Sequence, residues 1–173
     1  MKKLLISASA MLALAGCAAN NAPQAAETDV RAQAATTNSA PQLAAVDSID
    51  SRIEVAYRCT TPQGVQPMSV MYGVKDGTLI VAQAKVNGEL TPGLARVLND
   101  VNGESQNSYY GNGLTWITDK ATPADVTRVD GNMLTQAKEL TVNGVPTGVQ
   151  DILLKGCAVD TAATARLNRA AKR

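Results

Sequence analysis

Six Asx-Gly pairs punctuate this chain from residue 76 to residue 144, and they limit what it can fold into. They are Asp76-Gly77, Asn87-Gly88, Asn102-Gly103, Asn112-Gly113, Asp130-Gly131 and Asn143-Gly144. Asn-Gly and Asp-Gly suit type I′ turns, because both central residues tolerate positive φ. Between the pairs lie short runs of β-forming residues. Residues 53–59 (Ile-Glu-Val-Ala-Tyr-Arg-Cys) alternate apolar and polar with period two. Residues 79–86, 114–118, 139–142 and 149–154 are further strand candidates. Strands at roughly 8–12-residue spacing with turn signals between them predict an antiparallel sandwich or barrel. Residues 92–101 are ambiguous: Leu94, Val97, Leu98 and Val101 fit helical spacing, and a strand fits as well.

Composition narrows the chemistry. The chain of 173 residues has no His and no Phe, and its aromatics are Tyr57, Tyr72, Tyr109, Tyr110 and Trp116. Without His, Ser-His-Asp and Cys-His catalysis and the usual zinc ligand set are excluded. Acid pairs such as Asp125 and Asp130 have no spacing that marks them as catalytic. We therefore expect a protein that is not an enzyme and that has no cofactor or metal. The core must be built from Val, Leu, Ile, Met and Ala, and a covalent staple would help so thin a core.

The first residues read as an export signal. Lys2-Lys3 precede an apolar run over residues 4–15, too short to span a bilayer as a helix. Leu14-Ala15-Gly16-Cys17 resembles the lipobox of bacterial lipoproteins. That resemblance implies cleavage before Cys17, lipid (palmitate among its acyl groups) on Cys17, and an outer-membrane location, because Ala18 rather than Asp follows. The alternative is an ordinary secretory signal cut a few residues later. Two or more acyl chains give stable membrane attachment. Removal of residues 1–16 leaves 157 residues, enough for one domain with tails. The net charge of +1 falls to −1 with loss of Lys2 and Lys3, a balance that suggests no nucleic-acid partner.

With Cys17 lipidated, Cys59 and Cys157 remain. In an exported chain they most simply form one disulfide, two buried free thiols being the alternative. A closed loop of roughly 100 residues corresponds to about 4.7 kcal/mol of chain entropy. The pair would tie the first strand to the last, which closes a meander and removes its open edges. The expected organisation is a signal at 1–16, a lipidated Cys17 and flexible linker at 17–50, a small antiparallel β-barrel at 51–160, and a basic tail at 161–173. The linker would span roughly 30 Å as a coil. The tail holds Arg166, Arg169, Lys172 and Arg173 with no acid. It reads as a frayed solvated end or, alternatively, a short basic helix touching anionic envelope polymers.

The segments Val55-Ala56-Tyr57-Arg58-Cys59, Val70-Met71-Tyr72-Gly73, Val86-Asn87-Gly88, Ser108-Tyr109-Tyr110-Gly111 and Ile152-Leu153-Leu154-Lys155-Gly156-Cys157 are similar to the adhesin complex protein family of Gram-negative bacteria. That family is related in fold to the membrane-bound inhibitors of c-type lysozyme. The resemblance covers residues 52–158. It implies an eight-stranded antiparallel barrel with a disulfide between its first and last strands. It also implies inhibition of host c-type lysozyme and adhesion to host cells. Residues 105–120 correspond to the segment with which the inhibitors contact lysozyme. Tyr109 stands where they carry Arg, and Asp119 separates Thr118 from Lys120. The candidate contacts are Ser105, Ser108, Tyr109, Tyr110 and Lys120, with Trp116 read as core or contact. The alternative function is a structural envelope lipoprotein that binds peptidoglycan or another outer-membrane protein.

Overall fold

The computed structural model describes residues 40–170. The signal segment, Cys17, most of the expected linker and residues 171–173 lie outside the described residues. Nine strands follow in order: β1 (Ser51–Thr61), β2 (Gly64–Lys75), β3 (Thr78–Val86), β4 (Glu89–Leu90), β5 (Leu94–Arg96), β6 (Gln106–Gly111), β7 (Leu114–Asp119), β8 (Gly131–Val142) and β9 (Val145–Val159). One helix, α1 (Thr161–Ala170), closes the described chain. Each long strand pairs antiparallel with the next, β3 reaches β5 past the two-residue β4, and β9 returns to β1. Eight strands thus form a closed barrel, with β4 as a spur on β3.

Four of the six Asx-Gly pairs make the hairpins. Asp76, Asn87, Asn112 and Asn143 have φ between 48° and 52°, and each following glycine is also positive. Each pair joins directly opposed residues, such as Lys75 with Thr78 and Val142 with Val145. The other two pairs do different work. Asn102-Gly103 lies in the loop between β5 and β6. Gly131 opens β8, and a Cβ there would sit 2.2 Å from the Trp116 ring, so glycine leaves room for the indole. The β1–β2 turn has no Asx-Gly; the Thr61 hydroxyl accepts from Gln63 N (3.2 Å) and donates to Gly64 O (2.9 Å).

In a meander, alternate turns fall at alternate ends. One pole holds the β1–β2, β3–β4, β6–β7 and β8–β9 turns; we call it the open pole. The other, the loop pole, holds the Asp76-Gly77 turn, residues 97–105 and residues 120–130, including a 3₁₀ turn at Val126–Arg128. At the open pole the β8–β9 hairpin outruns the barrel. The β7–β8 pairing ends at Leu114 with Gln136, and β1–β9 pairing ends at Thr60 with Lys155. Residues 136–148 are exposed throughout and form a two-stranded arm.

The seam between β1 and β9 has only three registered pairs, with an irregularity between Arg58 and Thr60. Cys59 sits at that irregularity and is bonded to Cys157. The disulfide therefore clamps the barrel at the short ladder that joins its first and last strands.

One ambiguity is resolved and two expectations change. Residues 92–101 are no helix: Leu94 is buried on β5, whereas Leu98 and Val101 are 58% and 95% exposed. Pairing of β5 with β3 and β6 overrides the helical spacing. The linker does not run free to residue 50. Leu43 bridges Val97, Ala44 N donates to Arg96 O (2.8 Å), and Asp50 N donates to Val74 O (2.7 Å). Residues 42–44 pair along the edge that β5 leaves open past Arg96, and Asp50 extends the β1–β2 ladder. The tail, favoured as frayed, is a docked helix over Thr161–Ala170. β9 ends opposite Tyr57, so the β1 backbone before it lacks a ladder partner on that side. Two side chains one turn apart on α1 supply it. Thr164 Oγ1 accepts from Ala56 N (2.9 Å), and Asn168 accepts from Glu54 N (3.1 Å) and donates to Glu54 O (2.6 Å). Asp160 caps the helix through Ala163 N (2.8 Å).

Thr164→Val keeps the shape and removes the acceptor for a buried N–H. A buried donor left unpaired costs about 1–3 kcal/mol. The urea midpoint should fall accordingly, and an unchanged midpoint would show that α1 does not seal the β1 edge.

Candidate functional site

Side chains alternate along β6 and β7, and that alternation sorts the candidates. Asn107 and Tyr109 point into the barrel, and both are fully buried. Ser108 and Tyr110 point outward. Trp116 on β7, opposite Tyr109, is fully buried, so it is core.

The interior aromatics form a hydrogen-bonded group. Trp116 Nε1 donates to the Tyr72 hydroxyl (2.8 Å), and the Tyr57 and Tyr72 hydroxyls are 2.9 Å apart. Tyr57 meets Trp116 edge-on at 5.4 Å, and Tyr72 meets Tyr109 at 5.7 Å. In a chain without Phe, these rings fill the centre and find partners for their polar atoms. The exception among the described residues is the Tyr109 hydroxyl, which is buried without a hydrogen bond. The Arg96 guanidinium lies 5.6 Å from the Tyr109 ring centre, a cation–π contact. Arg96 also donates to Asn107 Oδ1 (2.7 Å), and Asn107 donates to Ala121 O (2.7 Å). This chain of contacts closes the loop pole from inside.

Burial pushes the Tyr109 hydroxyl up to about 12, against the opposing pull of Arg96. Burial also raises Tyr57 and Tyr72 well above the ordinary tyrosine value.

Outside, the candidate surface is the loop-pole turn of residues 100–105. Partial burial pushes the Asp100 carboxyl up, but hydrogen bonds from Ser108, Asn102 N and Gln106, with the Arg96 charge, outweigh it and hold it below its usual value. Asp100 Oδ2 accepts from the Ser108 hydroxyl (2.5 Å) and Gln106 Nε2 (3.1 Å), and Oδ1 accepts from Asn102 N (2.9 Å). The Ser105 hydroxyl is exposed and donates to Asn102 O (3.1 Å). Lys120, also exposed, donates its backbone N–H to Ser105 O (2.9 Å) and its ammonium to Gly103 O. A groove of about 480 Å³ runs between this turn and Arg96, lined also by Leu98, Val101 and Glu104.

The structure thus brings Ser105 and Lys120 together. It encloses Ser108 as a support for Asp100 and Tyr109 as part of the core. Tyr110 is half-buried on the barrel wall, five residues or about 16 Å along the strand from Ser105. Sequence reasoning missed Asp100, Gln106 and Arg96, because nothing local marks the carboxylate that organises the turn.

Unfolded tyrosines ionise near pH 10. The raised folded values mean that this share of stability is complete below about pH 10 and is lost as pH climbs toward the folded values. The urea midpoint should fall steeply from about pH 10 to 12, with tyrosinate absorbance of the three buried rings rising only on unfolding. Separately, Tyr72→Phe leaves Trp116 N–H and the Tyr57 hydroxyl short of a partner and should cost about 1–3 kcal/mol in urea unfolding at neutral pH.

Residues 53–159, from within β1 to the last residue of β9, match the family model of the ACP-like domain. No curated protein matches the chain.

Proposed function

The chain belongs to the ACP-like (adhesin complex protein) domain family, and from that premise we propose that it is a lipid-anchored outer-membrane protein that inhibits host c-type lysozyme and adheres to host cells. It acts as a binding protein, not an enzyme. The carrying observation is the pairing of Lys120 with Ser105 on an exposed, internally braced turn.

A c-type lysozyme cleaves with two carboxylates in a cleft. An inhibitor that brings an ammonium and a hydroxyl together can satisfy both. The Lys120 ammonium meets a backbone carbonyl here. That bond is charge-assisted on the donor side only; a carboxylate adds an opposite charge on the acceptor side, so an enzyme acid would replace that carbonyl. The Asp100 hydrogen bonds hold the turn in shape, which lowers the ordering cost of binding. Exposed Leu98 and Val101 beside the turn add apolar contact area. Cys17 supplies the anchor in this reading, and the residues before position 40 supply the leash.

Purified full chain should slow c-type lysozyme on cell-wall substrate. Lys120→Ala and Ser105→Ala should each raise the half-inhibitory concentration, Lys120→Ala at least tenfold, since truncating one partner of a buried charge pair costs about 2–5 kcal/mol. Lys85→Ala, exposed on β3, should leave it unchanged. No inhibition at large molar excess, with retention on intact sacculi, would favour the structural envelope role instead. Cys17→Ser should abolish palmitate labelling and move the protein from the membrane to the soluble fraction.

A further inference from the structure

The open pole holds a cavity of about 470 Å³ between the β3–β4 corner and the root of the arm. Val86, Leu90, Pro92, Leu114, Leu134 and Leu154 line it. That volume lies within the range of small-molecule sites, which are mostly apolar with a few fixed polar groups. No aromatic side chain is in the lining. Flat rings are recognised by stacking on aromatic faces, so this lining suits an aliphatic ligand better.

The arm gives the site its length. Leu140 and Val142 lie an even number of residues after Leu134 on β8, so they continue its face. Val145 is the cross-strand partner of Val142, and Val149 of Lys138, so both share that face. Leu140, Val142 and Val145 are 42%, 51% and 61% exposed. From Leu134 to Val142 this face runs about 26 Å, with Gln136 and its cross-strand partner Asp151 between the cavity and Leu140. Lys138 lies on it too, and a lysine stem covers apolar surface while its ammonium reaches water. Elsewhere the molecule seals what closure leaves open, as α1 seals β1. Here, as at Leu98 and Val101 of the loop pole, apolar residues stay in solvent, on the pole opposite the point where the described chain joins the barrel beside Asn99.

Charge selects the polar end of the ligand. Glu89 is the one charged residue in the lining, and it stands exposed at the rim. Beside it, Gln66 Nε2 donates to Asn87 Oδ1 (2.9 Å), which fixes an amide pair at the same rim. An anionic head group would meet repulsion there, and a cationic one attraction.

We propose that the open pole binds a single unbranched alkyl chain with a cationic or neutral head group. The head sits at Glu89, and the chain crosses the cavity and lies along the arm toward Val142 and Val145. This site is separate from the lysozyme-binding turn, and neither reading depends on the other.

The test uses the full chain carrying Cys17→Ser, so that no lipid attached to the protein itself competes. The neutral fluorescent dye methyl parinarate, an unbranched polyene, should brighten on mixing. Monomeric dodecyltrimethylammonium should displace it at a concentration at least tenfold lower than dodecyl sulfate, and Glu89→Gln should abolish that preference. Leu90→Asp and Val142→Asp replace exposed side chains, so the fold should survive, as near-ultraviolet circular dichroism will report. Each should weaken dye binding at least tenfold, whereas Val101→Asp at the far pole should not. Absence of brightening would overturn the proposal, as would brightening that both variants retain. Dye unmoved by either monomer, with sedimentation on phosphatidylcholine vesicles that Val142→Asp abolishes, would assign the arm to a bilayer surface and would also overturn it.

Discussion

The barrel depends on one seam. Around most of the ring, adjacent strands share long ladders, such as eleven residue pairs between β1 and β2. Between β1 and β9, which join the two ends of the meander, there are three, and β5 makes only two with each of its neighbours β3 and β6. A ladder so short leaves unpaired backbone on both strands and invites pairing with another chain. Two devices answer this. The Cys59–Cys157 bond fixes the strands covalently at the irregular point, and its separation of 98 residues makes it a long-loop constraint on the unfolded chain. The α1 side chains Thr164 and Asn168 then take the place of the missing strand beside Ala56 and Glu54. Closure is therefore partly covalent, partly β-ladder, and partly side chain to backbone.

The same economy shapes the interior. A chain without Phe fills its barrel with three tyrosines and a tryptophan, whose polar atoms must be paired or pay a desolvation cost. Tyr57, Tyr72 and Trp116 pair among themselves. Tyr109 instead lies under Arg96 and helps to close the loop pole. Because Arg96 also holds Asn107 and favours ionised Asp100, core packing and the shape of the exposed turn are linked. Arg96, Asn107 and Tyr109 fill the inside of the loop pole, and the groove with exposed Leu98 and Val101 lies outside them. The open pole keeps its aliphatic lining accessible, and the arm extends that surface outward.

Much of the fold was legible because its signals are local. A two-residue I′ turn is specified by two adjacent residues, so Asn87-Gly88 or Asn143-Gly144 marks a hairpin without reference to the rest of the chain. Period-two alternation in residues 53–59 likewise marks β1. β2 and β6 were harder: neither has clean alternation, because residues on their outer faces are also covered, as Ser108 is by Asp100. The candidate site was legible in part. Lys120 and Ser105 meet where the β5–β6 and β7–β8 loops touch, joined by a backbone hydrogen bond. Tyr109 and Tyr110 are adjacent in sequence yet on opposite faces, and only the strand's parity decides which of them a partner can touch.

The sequence by itself determined a closed β-meander, four of its hairpin turns, and Cys59 and Cys157 as the pair that ties its ends. Those follow from backbone preferences and from the few cysteines available. Tertiary structure alone decided that residues 161–170 form a docked helix, that residues 42–50 belong to the barrel, and that the β8–β9 arm stands free. Each depends on which backbone groups the neighbouring strands leave unpaired. That is fixed by where β9, β5 and β7 stop, and no local stretch of sequence contains it.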